Sequence, residues 1–181
     1  MSRYHPALVA LHWILALLII GGLIMGGNVL ANTPNTDPFK LTALTAHMSV
    51  GITILALMLI RLVVRLSTRK PPHADIGNAL ANRTGVWTHW AFYLLVIAMC
   101  ASGLATASIA GLPAIVFGGS GDPLPANFDD IASRAAHGVL ATLLSILIAL
   151  HVAAGLYHQY IRKDRLFARM WFGNRKGDDN A

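Results

Sequence analysis

The chain has 181 residues, 55% of them hydrophobic and only 12% charged, with a formal charge of +6 at pH 7. Its apolar residues fall in four long blocks rather than on alternating faces, which excludes an ordinary water-soluble domain and reads as one all-α integral membrane domain. The fourteen Lys and Arg lie almost wholly between and after those blocks, so the charge is a topology signal and not a nucleic-acid surface; eight Asp and no Glu leave little for paired-carboxylate catalysis, and the lone Cys100 allows no intrachain disulfide.

The first block, residues 7–30, follows Arg3, carries His12 near its start, and contains Gly21, Gly22, Gly26 and Gly27, small residues that let something bulky approach the backbone. Its apolar run is longer than a signal core, and three further spans need a partner, so a retained helix is expected. A Pro/Asn turn (NTPNTDPFK) leads to a second helix over 41–66, with His47 near its beginning and Arg61 and Arg65 near its end. A basic break continues through Arg69, Lys70, His73 and Arg83. The third block, 86–108, opens with Trp87 and Trp90 around His89, as amphipathic rings favour an interface. A Gly/Pro-rich loop over 109–133 carries Asp122, Asp129 and Asp130, with a short helix expected around 113–117. The fourth block, 135–160, reads AAHGVLATLLSILIALHVAAGLYHQY. It ends in Arg162, Lys163, Arg165, Arg169, Arg175 and Lys176 and a polar tail over 161–181.

Sorted by side, twelve basic residues fall on one face of such a membrane, and only Lys40 and Arg134 fall on the other. The positive-inside rule then predicts four helices with both termini in the cytoplasm. This orientation gives every histidine a depth. His47 and His137 each begin an inward-running helix, so both belong near the outer face. His12 starts the first helix at the cytoplasmic side. His151 lies fourteen residues beyond His137, which on a helix is about 21 Å deeper and within about 40° of the same face.

Neutral imidazole in hydrocarbon is costly unless it is hydrogen-bonded, lines water or ligates a metal. For one histidine, a hydrogen bond to a neighbouring helix is the plainer reading. Four that pair by level on three helices point to metal, with His47 and His137 sharing one haem iron and His12 and His151 another. Bis-imidazole ligation fills both axial positions and suits electron transfer rather than oxygen chemistry. His158, one heptad past His151, has two readings: a ligand in its place, or a flank for a quinone. His89 sits at an inner helix end, where headgroups could satisfy it, and His5 and His73 read as solvated. Arg61, at the inner-haem level, can pair with a propionate or snorkel to headgroups, and Arg65 reads more simply as snorkelling.

These stretches, ALHWILALLII with His12, LTAHMSVGITILALMLIRLVVRL with His47 and Arg61, THWAFYLLVIAM with His89, and AAHGVLATLLSILIALHVAAGLYHQYIRKD with His137, His151 and His158, resemble the bacterial cytochrome b561 family over nearly the whole chain. The resemblance implies a four-helix bundle in the bacterial cytoplasmic (inner) membrane holding two haem b groups, with the same two histidine pairs as ligands. It is closest to the superoxide oxidase members, implying that electrons from superoxide, or another periplasmic donor, pass to ubiquinone. Lys40 and Arg134 would then attract the anion at the outer face. The alternative is a cytochrome b anchor that relays electrons between a separate dehydrogenase or hydrogenase, as a redox protein partner, and the quinone pool.

Overall fold

The computed structural model describes residues 3–68, 79–163 and 166–172, and among these it is helical with no strand. Arg69, Lys70, His73, Arg165 and the tail from residue 173 onward lie outside the described residues. Five α-helices follow in order: α1 (Pro6–Ile24), α2 (Pro38–Ser67), α3 (Ala79–Ile109), the single turn α4 (Leu112–Val116) and α5 (Ala132–Leu156). Two of them run on as π-helix, α1 through Met25–Leu30 and α5 through Tyr157–Arg162, and a 3-10 turn follows at Leu166–Met170. Among the described residues, four stretches are long and apolar enough to cross a membrane: Pro6–Leu30, Pro38–Ser67, Asn82–Ile109 and Ala132–Arg162.

Each long helix starts earlier than hydropathy alone indicates, and for the first two capping rather than apolarity sets the start. His5 Nδ1 accepts from the Ala7 N–H at 3.3 Å, and the Asp37 carboxylate accepts from the Phe39 N–H at 2.8 Å. A proline then occupies the first turn in each case, where its missing N–H is not needed. Lys40 and Arg134 consequently sit inside the first turns of α2 and α5 rather than just ahead of them. Gly111, at φ 66°, turns the chain from α3 into α4, which stands where the short loop helix was expected.

The closest backbone approaches are α3 on α5, α1 on α2, and α2 on α3; among the described residues α5 makes no comparable approach to α1 or α2. A small apolar core at mid-height joins Leu15, Ile54, Met58, Tyr93, Val96 and Leu144. Outside it, Leu17, Ile52, Val63, Leu94, Val139 and Leu150 turn to the exterior, which only lipid makes tolerable. Both ends of the described chain meet at one end of the bundle. The Tyr4 N–H donates to Arg169 O at 3.4 Å, Arg3 Nη1 to Trp171 O at 3.2 Å and Trp13 Nε1 to Met170 O at 2.9 Å. Trp13 also packs edge-on against Phe167 and Trp171.

At the opposite end, buried Lys40 ties the turn between α1 and α2. Its Nζ donates to Leu30 O at 2.5 Å and to Thr33 O at 2.6 Å, carbonyls left over where α1 stops. Lys40→Met keeps the stem and removes both bonds. Losing two charge-assisted bonds is expected to cost about 2–4 kcal/mol, read as a lower midpoint of thermal unfolding in detergent.

A candidate paired-imidazole site at each end of the bundle

The antiparallel helices bring the histidines together in two places. At the end away from the termini, His47 of α2 faces His137 of α5, with ring centroids 6.2 Å apart and planes at 79°. At the termini end, His12 of α1 faces His151 of α5 at 6.3 Å and 67°. All four rings are half-buried. Leu144, buried in the core, lies midway along α5 between its two histidines and separates the levels with hydrocarbon.

Both pairs bridge the faces where α5 is held off its neighbours, so each spans a gap rather than a packed seam. Two imidazoles bound through nitrogen to opposite sides of one metal, with bonds of about 2.0 Å, hold their centroids about 6 Å apart. Among the described residues no three His, Cys, Asp or Glu side chains converge as a metal cluster. A bare zinc ion wants four protein ligands; a pair suits a metal that brings its own equatorial set, as haem iron does. His47 Nδ1, moreover, is buried with no hydrogen-bond partner. A metal would take the ring's other nitrogen, Nε2, so the fit rests on the number and spacing of the donors. The donor set therefore fits haem.

The termini end holds more than the expected pair. His89 of α3 lies 5.9 Å from His151, and Phe92 packs on the same ring at 5.2 Å. Separation alone does not distinguish His12 from His89. The packing does, since α3 lies directly against α5 whereas α1 does not. His158 falls on the π segment beyond α5, with its ring 5.8 Å from that of Tyr157. Arg61 reaches from α2 to α1, donating from Nη1 to Leu8 O at 2.6 Å. Arg65 does not simply snorkel: its guanidinium lies over the rings of Trp90 and Tyr93, at 5.4 and 5.7 Å.

At the other end an open cleft of about 660 Å³ lies between the α1–α2 turn, the segment before α5 and the first turns of α5. Lys40 and Arg134, drawn from distant parts of the chain, both line it. So do Gly138 and Thr142, one and five positions past His137. Arg134 folds back along its own helix, its Nη1 3.6 Å from where a Cβ on Gly138 would stand. Of Asp37, Asp122, Asp129 and Asp130, only Asp129 lines the cleft, so its walls carry more positive than negative charge.

Of the glycines that fit against the rings, the sequence singled out Gly26 but not Gly103. A Cβ on Gly26 would stand 3.3 Å from His47 Cε1, and one on Gly103 would stand 3.0 Å from His137 Cε1. Gly26 belongs to the π segment, so the wider helix and the missing side chain together make room for His47. Gly21 and Gly27, which the sequence groups with Gly26, meet nothing within 4 Å.

The family model for prokaryotic cytochrome b561 matches residues 3–173. The chain is 30% identical to a protein of Yersinia pestis named "Probable superoxide oxidase CybB", covering 93% of this chain and 96% of that one. It is 30% identical to "Cytochrome b561 homolog 2" of Escherichia coli, over 93% and 91% of the two chains. To "Cytochrome b562" of Cereibacter sphaeroides it is 25% identical, over 92% and 94%.

Pairs rather than clusters of ligands make a direct prediction for the apo-protein. Added haem gives a six-coordinate low-spin spectrum that carbon monoxide leaves unchanged, whereas added cobalt(II) gives no tetrahedral absorption band.

Proposed function

Since the chain belongs to the prokaryotic cytochrome b561 family, a family of membrane electron-transfer proteins, we propose that it is a superoxide:quinone oxidoreductase of the bacterial inner membrane with two b haems. The observation that carries this reading is the two imidazole pairs, one at each end of the bundle, each spaced for a single iron. His47 and His137 hold one haem and His12 and His151 the other. Held by these residues, haem b would supply one-electron transfer.

In this reading, which the charge asymmetry supports, the termini lie in the cytoplasm and the His47–His137 end at the periplasmic face. There, Lys40 and Arg134 draw superoxide into the cleft lined by Gly138, the residue after His137. Lys40 keeps one N–H beyond the two already given to carbonyls, and exposed Arg134 presents its charge to the aqueous mouth. The core at Leu15, Val96 and Leu144 keeps water from running between the two levels. At the cytoplasmic end ubiquinone accepts the electrons, with His158 flanking it and Arg61 placed to neutralise an anionic group such as a propionate. Two superoxide anions each lose one electron to become dioxygen. The two electrons and two protons convert one quinone to quinol.

The relay-subunit reading calls for an exposed apolar patch on the outer loop. The structure offers a small one: Leu112 is buried, Ile115 and Val116 are half-buried, and Pro113, Ala114 and Phe117 are exposed. This favours a small-molecule donor over a docked protein.

Haem counting tests the ligands. Substituting alanine at His12, His47, His137 or His151 is expected to leave one haem per chain by pyridine haemochrome, whereas His89→Ala leaves two; two haems in any of the first four variants rejects that ligand. A superoxide pulse should reduce the purified protein, and added ubiquinone should reoxidise it. Two haems that ignore superoxide would move the assignment to the relay role. Arg134→Gln should slow reduction by about 3- to 10-fold at low salt and by less at high salt, as screening removes the attraction.

A further inference from the structure

The helix α3 supplies none of the four proposed ligands, yet it closes around one of them. His137 Nδ1 lies 3.0 Å from Met99 O and 3.0 Å from Ser102 Oγ. A carbonyl can only accept, so Nδ1 carries the proton and Nε2 is left with the lone pair. The Ser102 hydroxyl donates to Met99 O at 2.8 Å, which leaves its oxygen free to accept from the ring. The ring N–H is thereby shared between two acceptors that are locked to each other within one turn of α3. Gly103 completes the seat, since any Cβ there would stand 3.0 Å from His137 Cε1.

The opposing ring is seated differently: His47 Nδ1 is buried without a partner, and Gly26 lies close to its edge. The two members of this pair are therefore unequal. We infer that Ser102 is a positioning residue that, with Gly103, fixes the orientation of His137 and makes it the more electron-donating axial ligand of the outer haem. A ring whose N–H is held by good acceptors is a more basic ligand and favours ferric over ferrous iron. Ser102 thus lowers the potential of the haem nearer the cleft and helps electrons leave it toward the inner level. This inference rests on the ligand assignment above.

The test uses the full-length haem-loaded protein in detergent, by redox titration followed optically and by electron paramagnetic resonance of the ferric state. His47→Ala, which keeps only the inner haem, identifies which signal belongs to which site. Ser102→Ala is expected to retain two haems, raise the outer midpoint, shift the outer low-spin signal and leave the inner one in place; Ser102→Thr restores both. Gly103→Ala, acting through a different atom, is expected to move the same outer low-spin signal. It serves as the deciding variant if Ser102→Ala does not fold. Thr106→Ala, one turn on and bonded to Ser102 O and Ser133 Oγ rather than to the ring, leaves both signals unchanged. An outer midpoint that stays or falls, or a shift at the inner haem instead, overturns the role of Ser102. Two haems surviving in His137→Ala would overturn the ligand assignment itself, an outcome distinct from either.

Discussion

An imidazole inside hydrocarbon is costly unless it finds a partner, and much of this molecule is arranged around that requirement. A polar group left unpaired in such a medium costs on the order of a few kcal/mol, so four half-buried rings cannot be incidental. The bundle meets the requirement by withholding contact. Helix α5 packs on α3 and stands off from α1 and α2, and the facing rings reach across the spaces this leaves. Small residues, π-helical turns and an unpartnered ring nitrogen are all found along the edges of those spaces.

The helices consequently divide their work unequally. One carries a histidine of a facing pair at each end, two carry one each, and α3 carries none of these four but sets the rings on α5. It offers Phe92 and His89 to His151, and Met99, Ser102 and Gly103 to His137. A ligand that is only tethered can rotate about two side-chain bonds. One that is wedged and hydrogen-bonded presents a fixed lone pair, which for electron transfer means a fixed potential.

Charge is distributed with similar economy. Lys40 both closes the turn between α1 and α2 and lines the cleft, so stability and electrostatics meet in one ammonium. Counted along the chain, the acidic residues of this region outnumber the basic ones. In the folded cleft the balance reverses, because most of those carboxylates face elsewhere. A formal sum over a loop is thus a poor guide to the field an anion meets at a site.

Hydropathy, punctuation by Pro and Gly, and the lopsided placement of Arg and Lys determine the all-helical class and four spans, because lipid admits few other solutions for so apolar a chain. The level of each histidine was equally legible, since rise per residue converts position directly into depth, and it brought His47 to His137 and His12 to His151. What the chain could not disclose is everything that depends on rotation and lateral neighbours. Which helix stands off from which, that His89 also borders His151, that Ser102 and Gly103 seat one ring, and that Arg134 and Lys40 share a cleft across ninety residues of sequence all follow from packing angles. A one-dimensional pattern fixes depth and face on a single helix but carries no information about what lies across from that face. The helix starts slipped for a related reason: capping by His5 and Asp37 is a matter of local hydrogen bonds, to which hydropathy is blind.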